Sequence, residues 1–137
     1  MKHENPYKEA IRYIDNARAT LKLAGIEYRF YKDEKYVKSA CGTAYIGMLK
    51  ALDMFFEIKG IPKRKGRKAI EYYKEILSGI DKKLLYHLNN GYEVLHLYGY
   101  YDGGNKIETI ETGFDDAISI ITALKPYSGN GKKDKLV

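Results

Sequence analysis

The stretch DEKYVKSACGTAYIGMLKALDMFFEIK, residues 33–59, carries Val37, Cys41, Ala44, Met48, Leu52 and Phe55 at steps of three and four, which is one stripe of an α-helix. Tyr45, Leu49 and Phe56 lie on an adjoining stripe, so the helix is apolar over much of its circumference. Asp33 is the residue type that caps the free amides of a first turn. At its usual rise such a helix runs about 40 Å. It is expected to be the central element of a bundle.

Working outward, Tyr7, Ile11, Ile14, Ala17, Leu21 and Ala24 form an earlier helical stripe, with Pro6 suited to its first turn and Gly25 to its stop. A linker then holds Tyr28, Phe30 and Tyr31, which are expected to be exposed aromatics. On the other side, Gly60 to Gly66, containing Pro62, breaks the pattern. Arg67 to Ser78 reads as a short helix with Ile70, Tyr73 and Leu77 inward and Gly79 as its stop. Asp81 caps a helix to about Tyr101, in which Leu84, Leu88, Tyr92, Leu95 and Tyr98 keep the helical step despite Gly91. After the Asp102-Gly103-Gly104 turn, Asn105 and Glu108 resemble a capping box. Ile107, Ile110, Phe114, Ala117, Ile121 and Leu124 form the last stripe, ended by Pro126. No run alternates with period two for long enough to compete with these helices. The expected fold is all-α, an antiparallel up-and-down bundle of four main helices plus one short helix. It occupies residues 1–126 as one domain, followed by a flexible basic tail, 127–137.

A chain of 137 residues, 45% hydrophobic and 31% charged, has the composition of a globular domain and excludes a disordered or fibrous protein. Residues 1–5 are polar and charged, and the longest apolar stretch is interrupted by Lys50, Asp53 and Glu57, which argues against a signal peptide and a membrane span. The single cysteine, Cys41, sits on an apolar stripe and reads as a core thiol in a reducing cytoplasm.

The net charge of +6 is unevenly placed. Lys59, Lys63, Arg64, Lys65, Arg67 and Lys68 follow one another with no acid between them, and Lys132, Lys133 and Lys135 add to the tail, so the charge belongs to a loop and a tail rather than to the body. A mobile cluster of cations attracts phosphate backbones, which makes Lys63, Arg64, Lys65, Arg67 and Lys68 candidate nucleic-acid contacts. The plainer reading of the same residues is a solvated loop. Most of the 14 tyrosines fall on helix stripes, where they pack with the hydroxyl at the rim.

Several chemistries lack their residues. Glu93 and His96 form one Glu-x-x-His pair, the spacing that projects ligands inward in di-iron bundles, but a site of that kind needs two pairs and further carboxylates. A hydrogen-bonded helix histidine is the commoner reading, and neither metal nor cofactor is expected. Cys41 lies on an apolar face without a partnered histidine, no Gly-x-Ser-x-Gly elbow occurs, and no phosphate-binding glycine motif follows a strand.

Taken together, Tyr36-Val37-Lys38, Cys41-Gly42-Thr43-Ala44-Tyr45, Leu49-Lys50-Ala51-Leu52-Asp53, Gly66-Arg67-Lys68, Glu71-Tyr72-Tyr73, Leu95-His96-Leu97 and Tyr101-Asp102-Gly103 resemble a bacterial family known only as a domain of unknown function. The resemblance covers roughly residues 6–124 and implies no activity. More loosely, an early helix, a long Ala/Tyr-rich helix and a late helix with a histidine and Tyr98-Gly99 are similar to the HEPN helical-bundle superfamily. That resemblance implies dimers, partnership with nucleotidyltransferases, or metal-independent ribonuclease activity. The ribonuclease members carry an arginine with four to six residues between it and the histidine. With His96 as the histidine, those positions would include Asn89, Asn90 and Gly91, so the cation is missing. The expectation is therefore a non-catalytic module that self-associates as a homodimer and binds a partner macromolecule, a protein being one candidate, with a candidate cleft at His96, Asn89, Asn90, Glu93 and Tyr98. The alternative is an RNA-binding or RNA-cleaving protein that uses the loop 59–68.

Overall fold

The computed structural model describes residues 5–66 and 68–128. Among them the chain forms α1 (Pro6–Lys22), a hairpin of β1 (Ile26–Glu27) and β2 (Phe30–Tyr31), α2 (Glu34–Ile58), α3 (Ile70–Ile80) and α4 (Lys82–Gly91). A π-helical segment (Tyr92–Tyr101), α5 (Ile107–Thr122) and one 3₁₀ turn (Lys125–Tyr127) complete the described fold. The chain is mostly helical, as expected, but it divides differently from four main helices and one short one. No helix among the described residues is long and apolar enough to cross a membrane.

The long stripe behaves as its sequence dictates. The Asp33 carboxylate accepts from the Lys35 amide at 3.0 Å and caps α2, whose Val37, Cys41, Ala44, Met48, Leu52 and Phe55 are all buried. α2 packs against α1, the π segment and α5 together, which is why its burial runs round more than one face. α1 begins with Asn5 accepting from the Lys8 amide at 2.9 Å and Pro6 at its first position. Gly25, at φ +73°, then turns the chain into the hairpin, a conformation that costs any residue with a Cβ.

The linker aromatics are not all exposed, contrary to expectation. Alternation along β2 places Phe30 outward and Tyr31 inward, and Tyr31 is only 6% exposed, its hydroxyl directed at Glu111 at 3.5 Å. Tyr28, at 81% exposure, and Phe30 remain the exposed pair. Asn105 does not cap α5. Its side-chain amide donates to the Tyr31 carbonyl at 2.8 Å, and Lys106 occupies the cap position with its own amide held by the Tyr98 hydroxyl at 3.0 Å. Tertiary bonding to β2 has taken the residue that local pattern assigned to the helix end.

Two further boundaries move. Gly79 lies inside α3, and Asp81 ends that helix through its amide while its carboxylate accepts from the Leu84 amide at 3.0 Å to start α4. The helix expected to run to Tyr101 keeps α geometry only to Gly91. Beyond it the ladder is i→i+5, continued by the Asp102 amide on the Leu97 carbonyl at 2.9 Å. The wider turn shifts the buried face: Leu84, Leu88 and Leu95 are buried as expected, but Gly91 and Gly99 replace Tyr92 and Tyr98 on it. Gly99 abuts Cys41 so closely that a Cβ there would overlap its side chain.

At the far end, Ser128 Oγ accepts from the Tyr7 amide at 3.0 Å and donates to the Leu124 carbonyl at 2.9 Å, joining the 3₁₀ turn to the start of α1. Residues 129–137 of the expected tail, Arg67 and residues 1–4 lie outside the described residues.

Candidate functional site

His96 stands at the centre of an aromatic cluster built by two elements. From the π segment come Tyr92, four residues before it with ring centroids 5.3 Å apart, Tyr100 four after at 6.0 Å, and Tyr101 five after at 5.0 Å. The i→i+5 ladder is what lets both the fourth and the fifth neighbour reach one ring. From α2 comes Tyr45, stacked on the imidazole at 4.6 Å. The close fit of the two elements is made by reciprocal glycines, Gly99 against Cys41 and Gly42 against the Tyr100 ring.

Burial among these rings lowers the His96 pKa from its ordinary 6.5, because an imidazolium here loses hydration without gaining a counter-charge. No hydrogen bond among the described residues holds either of its ring nitrogens. The Tyr45 hydroxyl is pushed up to about 12 by burial, with Tyr92 and Glu71 adding to the shift. A cation does approach the cluster: Lys74 Nζ of α3 lies 5.5 Å from the Tyr92 ring centre. The outer edge is open, with Tyr100 46% and Tyr101 62% exposed. Chemically this is a neutral imidazole within a tyrosine surface, suited to stacking and apolar contact.

The remaining residues expected around His96 do not assemble with it. Asn89 and Glu93 are exposed, Asn90 is half-buried, and no hydrogen bond or ion pair among the described residues joins any of them to His96. Tyr98 faces the following turn, where its ring packs on Gly104 and its hydroxyl accepts from the Lys106 amide. No group of three or more His, Cys, Asp or Glu among the described residues could hold a metal.

A histidine that sequence reasoning passed over is better anchored. His87 Nδ1 of α4 meets Asp116 Oδ1 of α5 at 2.8 Å, with both side chains largely enclosed. The available signal was spacing, since His87 follows Leu84 by three residues and precedes Gly91 by four, on the inward stripe. The carboxylate fixes the ring's orientation and ties α4 to α5.

The basic loop is distributed over a second site. Lys63 and Lys68, with Lys50 of α2, border a depression of about 420 Å³ at the C-terminal end of α2. Lys68 Nζ contacts Asp53 Oδ1 at 3.3 Å, and the Tyr73 hydroxyl donates to the same oxygen at 3.0 Å. Burial, with Asp53 beside it, raises the Tyr73 hydroxyl far above its ordinary range. Arg64 lies over the Tyr72 ring at 5.2 Å and Lys68 at 5.8 Å from its centre. Lys65 is exposed and makes no ion pair among the described residues.

Comparison with curated proteins finds no match. Among solved structures, a protein of unknown function from Dyadobacter fermentans is similar, with 42% sequence identity and a TM-score of 0.81 over 89% of this chain and 95% of that one. A family model described as a domain of unknown function matches residues 5–125, and on that extent the chain belongs to this family, DUF5618.

Proposed function

We propose that the protein is a non-catalytic helical module of the bacterial cytoplasm, HEPN-like in descent, that self-associates and binds a partner macromolecule through the tyrosine face around His96. The observation that carries this reading is the face itself. Tyr45, Tyr92, Tyr100 and Tyr101 gather on one imidazole at the surface, and tyrosine is the residue type enriched where proteins meet. Rigid rings with few rotatable bonds lose little entropy on association. The cation that a HEPN-type ribonuclease would place before its histidine has no counterpart at Asn89, Asn90 or Gly91, and Lys74 reaches Tyr92 from a different helix.

Sedimentation velocity tests the reading. The wild type is expected to dimerise at micromolar concentration, and a Tyr100→Ala/Tyr101→Ala variant to weaken the dimer at least tenfold. A wild type that stays monomeric through that range refutes self-association. Cleavage of single-stranded RNA in chelator by wild type, abolished by His96→Ala, would refute the non-catalytic reading.

RNA binding through the loop 59–68 is the second reading, favoured by the convergence of Lys63, Arg64 and Lys68 at one corner. Phosphate contact predicts affinity that falls steeply with salt and is lost when Lys63, Arg64 and Lys65 become Ala. No binding at low salt would eliminate it.

A further inference from the structure

The depression at the end of α2 has a chemistry that neither the tyrosine face nor the core requires. Its floor is apolar: Met54 and Phe56 are buried beneath it and Ile61 closes one side. Its rim is cationic. Lys50 and Lys63 are exposed and make no ion pair among the described residues, and Arg64 stands over the neighbouring Tyr72. Lys68 is different, being drawn inward until its side chain is only 18% exposed.

Holding a lysine in such a place costs hydration. Asp53 offsets that cost with one ion pair, and Tyr73 satisfies the same carboxylate oxygen, so the ammonium is fixed rather than free to sweep through solvent. Of its three donors, only the one used by Asp53 has a hydrogen-bond partner among the described residues. The lining holds two acids, Asp53, one oxygen of which is taken by Lys68 and Tyr73, and, a helical turn further along α2, Glu57. A site for a bare anion has no use for that carboxylate. A site for a sugar phosphate does, because a carboxylate accepts from adjacent ribose hydroxyls.

We propose that this depression binds one nucleoside monophosphate unit. The phosphate lies among Lys50, Lys63 and Lys68, Glu57 accepts from the ribose hydroxyls, and the base rests on the apolar floor beside the Tyr72 ring. About 420 Å³ is within the usual range for small-molecule sites. The site lies apart from His96 and its ligand is independent of the self-association reading. The same chemistry can arrive as a free mononucleotide or as one unit of single-stranded RNA.

Calorimetric titration of the full chain with adenosine 5′-monophosphate, adenosine, inorganic phosphate and a ten-nucleotide single-stranded RNA tests the proposal. The monophosphate is expected to bind saturably, at least tenfold more tightly than either adenosine or phosphate. Lys63→Ala should weaken it about tenfold and Glu57→Gln by a smaller factor, whereas Lys22→Ala, at an exposed position of α1, leaves it unchanged. A decamer that binds more than tenfold tighter than the monophosphate, with the same sensitivity to Lys63→Ala, identifies RNA as the source, and equal affinity identifies the free nucleotide. Absence of saturable monophosphate binding into the millimolar range overturns the proposal, even if the decamer binds through loop electrostatics. Equal affinity for phosphate and monophosphate overturns it too, as does indifference to Lys63→Ala.

Discussion

Gly99 and Gly79 are both helical glycines, and replacing each by alanine should move stability in opposite directions. In a helix interior alanine is favoured over glycine by about 1 kcal/mol, so helix propensity alone predicts a gain at both positions. At Gly79 nothing lies within 4 Å of the new Cβ, and that gain should appear undiminished. At Gly99 the Cβ would fall 2.8 Å from the Cys41 Cβ and closer still to its Sγ, and 3.3 Å from the Val94 carbonyl oxygen. A sulfur can rotate away, but a Cβ moves only with its helix, so α2 and the π segment must separate. Overpacking of this kind costs up to about 3 kcal/mol, which leaves Gly99→Ala destabilised by roughly 2 kcal/mol after the propensity gain. For a chain of this length that is a fall of about 7 °C in Tm. Urea denaturation of both variants beside wild type measures the difference. A Gly99→Ala protein as stable as Gly79→Ala would mean that the two elements do not meet as closely as described.

Three further outcomes follow from individual side chains. Tyr98→Phe deprives the half-buried Lys106 amide of its acceptor and should cost about 1 kcal/mol in denaturant, with no change in self-association. His96 has its pKa lowered by burial, so the unfolded chain takes up the proton first as pH falls through 6.5. Its contribution to stability is therefore complete above that pH, is lost on acidification towards the lower folded value, and should vanish from the stability-pH difference between wild type and His96→Gln. Burial pushes the Cys41 thiol up to about 12, so iodoacetamide at pH 8 should leave the native protein unlabelled and modify it only in denaturant.

The long-range stripes were legible because their signal is carried by many residues at once: every apolar position assigned to the first face of α2 is buried. What escaped was decided by pairs distant in sequence. The i→i+5 segment lies where Gly91 meets Met48 and Gly99 meets Cys41, contacts that the run 82–101 alone does not display. Asn105 matched a helix cap locally and lost that role to the Tyr31 carbonyl. For the site, His96 was legible through its spacing from Glu93 and through a resemblance, whereas the rings that pack on it come from α2 and from a ladder with a different period, neither of which the local run displays. Lys63, Arg64 and Lys68 were legible as charge, whereas the carboxylate and tyrosine that fix Lys68 come from helices on either side of the loop.

The π ladder also determines which sequence changes the aromatic face can survive. Substitutions within 92–101 alter one ring at a time, but removal of a single residue would let the ordinary i→i+4 ladder resume, in which a side chain five positions on no longer stands over the first. Tyr101, five residues after His96, would swing off the imidazole, and the ring would keep only its neighbours at four residues and Tyr45. Across related chains, this segment should therefore be constant in length even where its side chains differ, and an alignment gap there would mark a relative whose face is built differently.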